Sequence, residues 1–392
     1  MLFTEGILQA TIPHNQLVAV PQGGILIYGV TARCIETAYQ HFAEHLETLK
    51  LHRYIQTTWE ASAGHYTVRF QLDPYAANEW TPAGDTMQLC AQLQLDSRHN
   101  SIDLTREILL AMLAGPVAFA FPSYEELQSA IRIRLNIVNA GYNTALAFDT
   151  TGAERPAEYW RYSEDTGFTI VPGKPLIAAL QKATQPDTPD KLYSFSCYRA
   201  TEYVILLGIA QELILSNPEL YDQLQQQWEQ QAIMSGRFHD VFLREYGSMD
   251  APLPPKYYVP GDRLWFRNPD PHSSDVTGYE GSWVFYLGNG LFSNFWKRDQ
   301  PYTLTAKCLE LFHWRNATYR DQAGELQIDE AVVEARVRES LNNPAEVEHI
   351  LGQMLRLREP KGVYLNGGCI DTTREYPRWV RPHTTDLTLS GI

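Results

Sequence analysis

Lysine is scarce in this chain. Of 32 basic residues, 8 are Lys and 24 are Arg, set against 46 acidic residues and a formal net charge of -14. No dense basic run interrupts that acidity, which excludes a nucleic-acid surface, because phosphate contacts need clustered Lys and Arg. Long hydrophobic runs are missing too. No apolar stretch approaches the roughly 20 residues of a bilayer crossing, and the start, Met1-Leu-Phe-Thr-Glu-Gly, lacks a basic region followed by an apolar run. Cysteine is sparse and odd in number. The five, at 34, 90, 197, 308 and 369, fit neither a zinc knuckle nor a small disulfide framework. These absences predict a soluble protein of a reducing compartment, the cytoplasm, without membrane or nucleic-acid partners; they leave the oligomeric state open.

Motifs for cofactors are absent as well. There is no Gly-x-Gly-x-x-Gly and no Gly-x-Ser-x-Gly elbow, and Gly367-Gly-Cys-Ile lacks the lysine of a phosphate loop. His45, His52, His239 and His313 have no third ligand at metal-like spacing, so neither a cofactor nor a metal is expected.

What is present is core-forming material. With 392 residues, 44% hydrophobic and 12% aromatic, the chain can fill two or three domains. Residues 1–100 read as a strand-rich α+β unit: Gly24-Ile-Leu-Ile-Tyr-Gly, His65-Tyr-Thr-Val-Arg-Phe-Gln-Leu and Met87-Gln-Leu-Cys-Ala-Gln-Leu-Gln-Leu as strands, with a helix over Thr31–Leu51. Residues 101–300 form a second unit. Its predicted elements are helices over Asp103–Leu113 and from Ser123, where Glu126 completes a capping-box pattern, a hairpin within Glu158–Ile170, a helix over Pro175–Ala183, and a glutamine-rich helix over Leu220–Ala232. Strands over Arg263–Arg267 and Ser282–Gly288 follow a proline-rich loop. Residues 301–392 read as an extension with one helix over Ile328–Leu357 and an irregular end.

Within this frame Cys197 stands out. Lys191-Leu-Tyr-Ser-Phe-Ser-Cys-Tyr-Arg-Ala-Thr-Glu-Tyr-Val-Ile-Leu-Leu-Gly carries a short strand into a long apolar helix with the cysteine at the junction. Unpaired N–H groups and the positive dipole end of a helix favour a thiolate there. On spacing alone, though, a lone cysteine before an apolar helix is more often a small buried hydrophobe. The connection between the two later strands offers Asp270, His272, Asp275 and Glu280 as possible partners, and the same residue types are also ordinary turn formers.

Several short blocks in order resemble the small calcium-independent transglutaminase of bacterial spore coats: Gly115-Pro-Val-Ala-Phe, Arg132-Ile-Arg-Leu-Asn-Ile-Val-Asn-Ala, Tyr159-Trp-Arg, Tyr193-Ser-Phe-Ser-Cys-Tyr-Arg-Ala-Thr, Gly261-Asp-Arg-Leu-Trp-Phe-Arg-Asn-Pro-Asp and Glu280-Gly-Ser-Trp-Val-Phe-Tyr-Leu-Gly-Asn-Gly-Leu-Phe. The resemblance implies an α+β fold with a papain-like, NlpC/P60-like cysteine transferase core, the nucleophile starting a helix packed on an antiparallel sheet, and here an extra strand-rich N-terminal domain. It implies Cys197 as nucleophile and Asp270 as its carboxylate. Ser196 stands where the family has a glutamate, and Asn294 where it has a histidine. Trp160, Trp265, Trp283 and Phe292 are expected to wall the acyl and amine channels. The implied activity joins protein glutamine to protein lysine through a cysteine thioester. Glutamine deamidation, proteolysis or a non-catalytic binding role on the same core stay open at this level.

Overall fold

A computed structural model describes residues 23–62, 65–148, 152–187 and 191–389. The amino-terminal residues read above as lacking a leader lie outside the described residues. In chain order the elements are β1 (Gly24–Gly29), α1 (Ala32–Thr48), β2 (Ile55–Ser62), β3 (His65–Leu72), α2 (Pro74–Trp80), α3 (Leu89–Leu93), α4 (Ser101–Leu113), β4 (Ala118–Phe121), α5 (Tyr124–Asn143) and β5 (Ala147–Phe148). There follow β6 (Trp160–Ser163), β7 (Gly167–Ile170), α6 (Leu176–Thr184), β8 (Ser194–Phe195), α7 (Cys197–Ser216), α8 (Pro218–Gln230), α9 (Ser235–Phe242), β9 (Leu243–Gly247), β10 (Arg263–Arg267) and β11 (Gly281–Gly288). The last stretch holds β12 (Leu291–Phe292), β13 (Tyr302–Thr303), α10 (Leu304–His313), β14 (Thr318–Arg320), β15 (Leu326–Ile328), α11 (Glu330–Leu341), α12 (Pro344–Met354) and β16 (Thr373–Pro377).

Two sheets organise the chain. The first has the order β2-β3-β1-β4, and its β1–β4 pair is parallel, so residues 118–121 complete a sheet begun by residues 24–29. The second is antiparallel throughout, in the order β13-β12-β11-β10-β16-β9. Helix α7 packs on β11 and on α5. It is buried almost all round over Ala200–Ala210, as expected of a helix without a polar face. Gly208 permits the close crossing: a Cβ there would meet Ile137 at 2.7 Å, and the Gly208 carbonyl accepts from Asn136 Nδ2 at 3.2 Å. The start of β10 is tied to α5 by a buried ion pair, Arg134 Nη1 to Asp262 Oδ1 at 2.8 Å.

Three expectations are corrected. The stretch read as a strand over Met87–Leu95 is helical through Leu93 rather than extended: Asp85 caps the segment by accepting from the Met87 N–H at 3.0 Å, and Leu89 and Leu93 are four apart, a spacing that the apparent alternation hid. The single helix over Ile328–Leu357 is instead β15, α11 and α12, divided where Asn343 caps and Pro344 opens the second helix. The end is not wholly irregular, because Thr373–Pro377 inserts between β10 and β9. Its buried positions include Arg374 and Glu375, held by polar contacts, so it carries no apolar alternation to read. The capping box at α5 is only half formed. Ser123 accepts from the Glu126 N–H at 3.1 Å, while the Glu126 carboxylate turns to the Val380 N–H at 2.7 Å and the Thr384 hydroxyl at 2.7 Å.

Candidate active site

The approach to Cys197 is set locally. β8 pairs in parallel with β5 and ends at Ser196, whose extended backbone (φ -79, ψ 157) and side-chain oxygen cap α7 by accepting from the Arg199 N–H at 3.3 Å. Cys197 is therefore the first helical residue. Burial pushes its thiol pKa up, and four groups oppose this: backbone hydrogen bonds from Trp283 and Tyr198, and the charges of Lys307 and Arg263. Bonds that favour a thiolate are donated to sulfur, so these are N–H groups aimed at the reacting atom.

Cys197 lies where two cavities meet. One, of ≈ 410 Å³, has Phe148, Ser196, Trp265, Glu280 and Trp283 in its walls. Trp265 and Trp283 stack with centroids 6.2 Å apart. Gly281 makes room for them, since a Cβ there would fall 2.1 Å from Trp265 Nε1. Beneath Trp283 lies the Arg263 guanidinium, 4.0 Å from that ring and 4.4 Å from Tyr198, and it donates to Thr201 at 2.8 Å and Glu375 at 2.6 Å. The other cavity, of ≈ 510 Å³, is more polar, with Glu310, Glu330 and Glu334 among its walls beside Lys297, Lys307, Arg338 and Tyr302. Lys307 is only 2% exposed. Its Nζ donates to Glu310 at 2.5 Å and to Ser282 Oγ at 3.3 Å, and lies 3.6 Å from the Tyr302 ring. Burial pushes the Glu330 carboxyl up, and Glu330 accepts from the Tyr279 hydroxyl at 2.7 Å.

The residues expected from sequence divide accordingly. Cys197, Ser196, Trp265 and Trp283 come together at the first cavity. Asn294 lines the second, where its side chain donates to the Gln300 carbonyl at 2.8 Å and accepts from the Trp296 and Lys297 N–H groups, ordering the 294–300 turn. Asp270 is held within its own turn. Its Oδ2 accepts from both the N–H and the hydroxyl of Ser273 at 2.8 Å, and it lines neither cavity. Trp160 and Phe292 are core residues rather than channel walls. Trp160 donates to the Ala179 carbonyl at 2.9 Å and packs on Tyr203 and Trp228, while Phe292 is enclosed by Tyr258, Phe266 and Tyr286.

Lys307, Glu310 and Glu330 were missed because they belong to the stretch read as an extension. The available signal was a Lys–Glu pair at i,i+3 amid Cys308, Leu309 and Leu311, an ion pair in an apolar setting. His239, Glu245 and Glu375 also form a group able to hold a metal, although one Glu375 oxygen is already bonded to Arg263 at 2.6 Å.

A solved structure of a transglutaminase from Geobacillus stearothermophilus, lacking its C-terminal extension, aligns with 55% of this chain and 98% of its own, at 20% identity and a TM-score of 0.38. Comparison with curated proteins yields no match. No helix among the described residues is long and apolar enough to cross a membrane. The profile of the protein-glutamine gamma-glutamyltransferases matches residues 85–389, most of the chain and all of the site just described. The chain belongs to the protein-glutamine gamma-glutamyltransferase family.

Proposed function

We propose that Cys197 is the acyl carrier of a transglutaminase and that its two cavities receive the two substrates from opposite sides. The thiolate attacks the carboxamide carbon of a protein glutamine, ammonia leaves, and the amine of a protein lysine displaces sulfur from the thioester to form the isopeptide. The observation that carries this reading is the sulfur at the junction of an aromatic cavity and one walled by charged side chains of both signs. Trp265 and Trp283 suit the uncharged glutamine stem, and Glu330, which pairs with no cation among the described residues, is suited to receive an amine. The N–H groups of Trp283 and Tyr198 are suited to the developing oxyanion as well as to the thiolate.

Lys307 and Arg263 supply the positive field that the sulfur otherwise lacks in its buried setting, so activity without calcium is expected. Glu310, bonded to Lys307 and open to the second cavity, is suited to take the proton from the incoming amine. Asp270 and Asn294 act by ordering the loops that carry the cavity walls.

The test is incorporation of a fluorescent primary amine into a glutamine-bearing protein, compared with ammonia release when no amine is present. Cross-linking that needs Cys197 and proceeds with a calcium chelator is expected. Ammonia release without amine uptake would make the chain a deamidase, and full amine uptake by Cys197→Ala would remove the mechanism.

A further inference from the structure

A third cavity, of ≈ 220 Å³, lies on the other side of Ser196 from the aromatic one, and Ser196 lines both. Its walls include Arg155, Arg199, Tyr162, Phe168, Trp228 and Met234. Arg155 is the unusual member. It is only 7% exposed, and no carboxylate among the described residues pairs with it. Its Nη1 donates to the carbonyls of Glu154 at 2.6 Å and Ser194 at 3.0 Å, while its Nε is buried without a partner. Three rings cover the guanidinium, with centroids 3.3 Å (Phe195), 4.6 Å (Tyr203) and 4.7 Å (Phe168) from its central carbon. Burial works against its charge, the Tyr203 hydroxyl works for it, and neighbouring Arg199 adds to the effect of burial. Buried arginines are ordinarily matched by an anion, because ring faces and neutral carbonyls compensate only part of the lost hydration.

The surrounding charges do not supply one. Arg199 Nη1 is bonded to Glu202 Oε2 at 2.6 Å, so the single carboxylate there is committed to the second guanidinium. Among the described residues the balance is two cations to one anion, in a protein whose net charge is -14. The cavity combines aromatic walls with an unmatched positive charge, which suits a carboxylate on a short aliphatic stem better than a bare inorganic ion.

We propose that this cavity is a donor subsite for an aspartate or glutamate side chain lying close in sequence to the reactive glutamine. It rests on the reading of Cys197 as acyl carrier: a substrate chain whose glutamine enters along the Trp265–Trp283 wall passes Ser196 and presents its neighbouring side chain to Arg155 and Arg199. The carboxylate restores the one-to-one charge balance. It thereby favours glutamines set in acidic sequence.

The experiment uses peptides amidated at the C-terminus, with one glutamine and a single glutamate moved through the flanking positions, against an all-alanine parent. Binding to Cys197→Ala is followed by Trp fluorescence, and dansylcadaverine uptake is measured with the wild type. A glutamate at one position is expected to tighten binding and raise kcat/KM at least tenfold over the parent, and Arg155→Met and Arg199→Met are each expected to reduce that advantage to under threefold. Arg199→Met serves should Arg155→Met fail to fold. No positional preference, or a preference that survives Arg199→Met, overturns the subsite. Preferential binding of the acidic peptide by Cys197→Ala, with no amine uptake by the wild type, leaves the subsite standing and removes the transferase reading. Free-acid peptides with no acidic side chain form a separate arm, and an equal gain with them assigns the cavity to a C-terminal carboxylate and overturns the side-chain proposal.

Discussion

The ammonium of Lys307 on α10 reaches the hydroxyl of Ser282 on β11 across 3.3 Å, one residue before the Trp283 N–H that bonds to the Cys197 sulfur. A residue far along the chain thus brings a buried positive charge to the nucleophile. Burial raises the thiol pKa, and a low-dielectric setting strengthens the opposing cation. Lys307→Met is therefore expected to move the pH midpoint of iodoacetamide reaction at Cys197 upward. Each unit lowers the rate near neutral pH by about tenfold. Glu310→Gln removes the anion paired with Lys307, leaving that cation unopposed, and is expected to move the midpoint downward while lowering transfer to amines; an unchanged Lys307→Met profile would count against the electrostatic role.

Alkylation should also sort the five thiols. Cys34 is exposed and Cys197 opens on two cavities, whereas Cys308 and Cys369 are fully buried. The Cys90 thiol is pushed up to about 12 by burial, with the Glu107 charge adding to it. Brief iodoacetamide treatment of the folded protein followed by peptide mass spectrometry is expected to label Cys34 and Cys197 alone. Cys34→Ser should leave amine incorporation unchanged, and Cys197→Ala should abolish it.

The parts of this site visible in the sequence are those whose signal is local. Ser196 followed by Cys197 and an apolar run fixes a cap, a first helical residue and a buried helix, all within one segment. Trp265 and Trp283 are directly paired in register across β10 and β11, so two adjacent antiparallel strands place them together. Lys307 and Arg155 could not be read this way. Each acquires its meaning from elements remote in sequence, α10 against β11 and the 152–159 segment against β8, and local periodicity records neither approach. Asp270 shows the converse. Asn268-Pro-Asp with a following Ser-Ser is a complete local recipe for a turn, and the carboxylate is spent there on Ser273.

Asp270→Asn follows from that geometry. The amide oxygen can still accept from Ser273, so the turn survives and amine incorporation is expected to stay within about threefold of wild type. A general base would lose roughly 100-fold or more. A loss of that size in a variant with unchanged circular dichroism and melting temperature would return Asp270 to the catalytic set.

The buried pair between α5 and β10 is predicted to be structural. Asp262 accepts from Arg134 at 2.8 Å, from the Val259 N–H at 2.8 Å and from the Tyr246 hydroxyl, with no exposure of its own. Asp262→Ala leaves a guanidinium buried without its anion and is expected to cost about 3–5 kcal/mol in urea unfolding. Arg134→Met with Asp262→Leu removes both charges and should recover much of that loss. Equal loss in the single and double variants would mean that packing, not charge, dominates.

Glu202 gives the pH dependence its sign. Burial lifts its carboxyl from 4.5 to about 6, against the charges of Arg199 on its own helix and Arg263 on β10 and the hydroxyl of Ser235 on α9. A folded pKa above the unfolded one means that the native state holds the proton more tightly. The associated stability is fully present below the unfolded value and is lost as pH rises through the folded one, between about 4.5 and about 6. A displacement of that size in a residue only 1% exposed corresponds to ~2 kcal/mol. Glu202→Gln cannot titrate, so its stability relative to wild type should rise by that amount from pH 4.5 to pH 7, measured by urea unfolding at both. The comparison with the variant cancels the other buried carboxyls, Glu107 and Glu126, which are shifted in the same direction. A difference that stays flat across this range would mean that Glu202 is ionised throughout, with Arg199 outweighing burial.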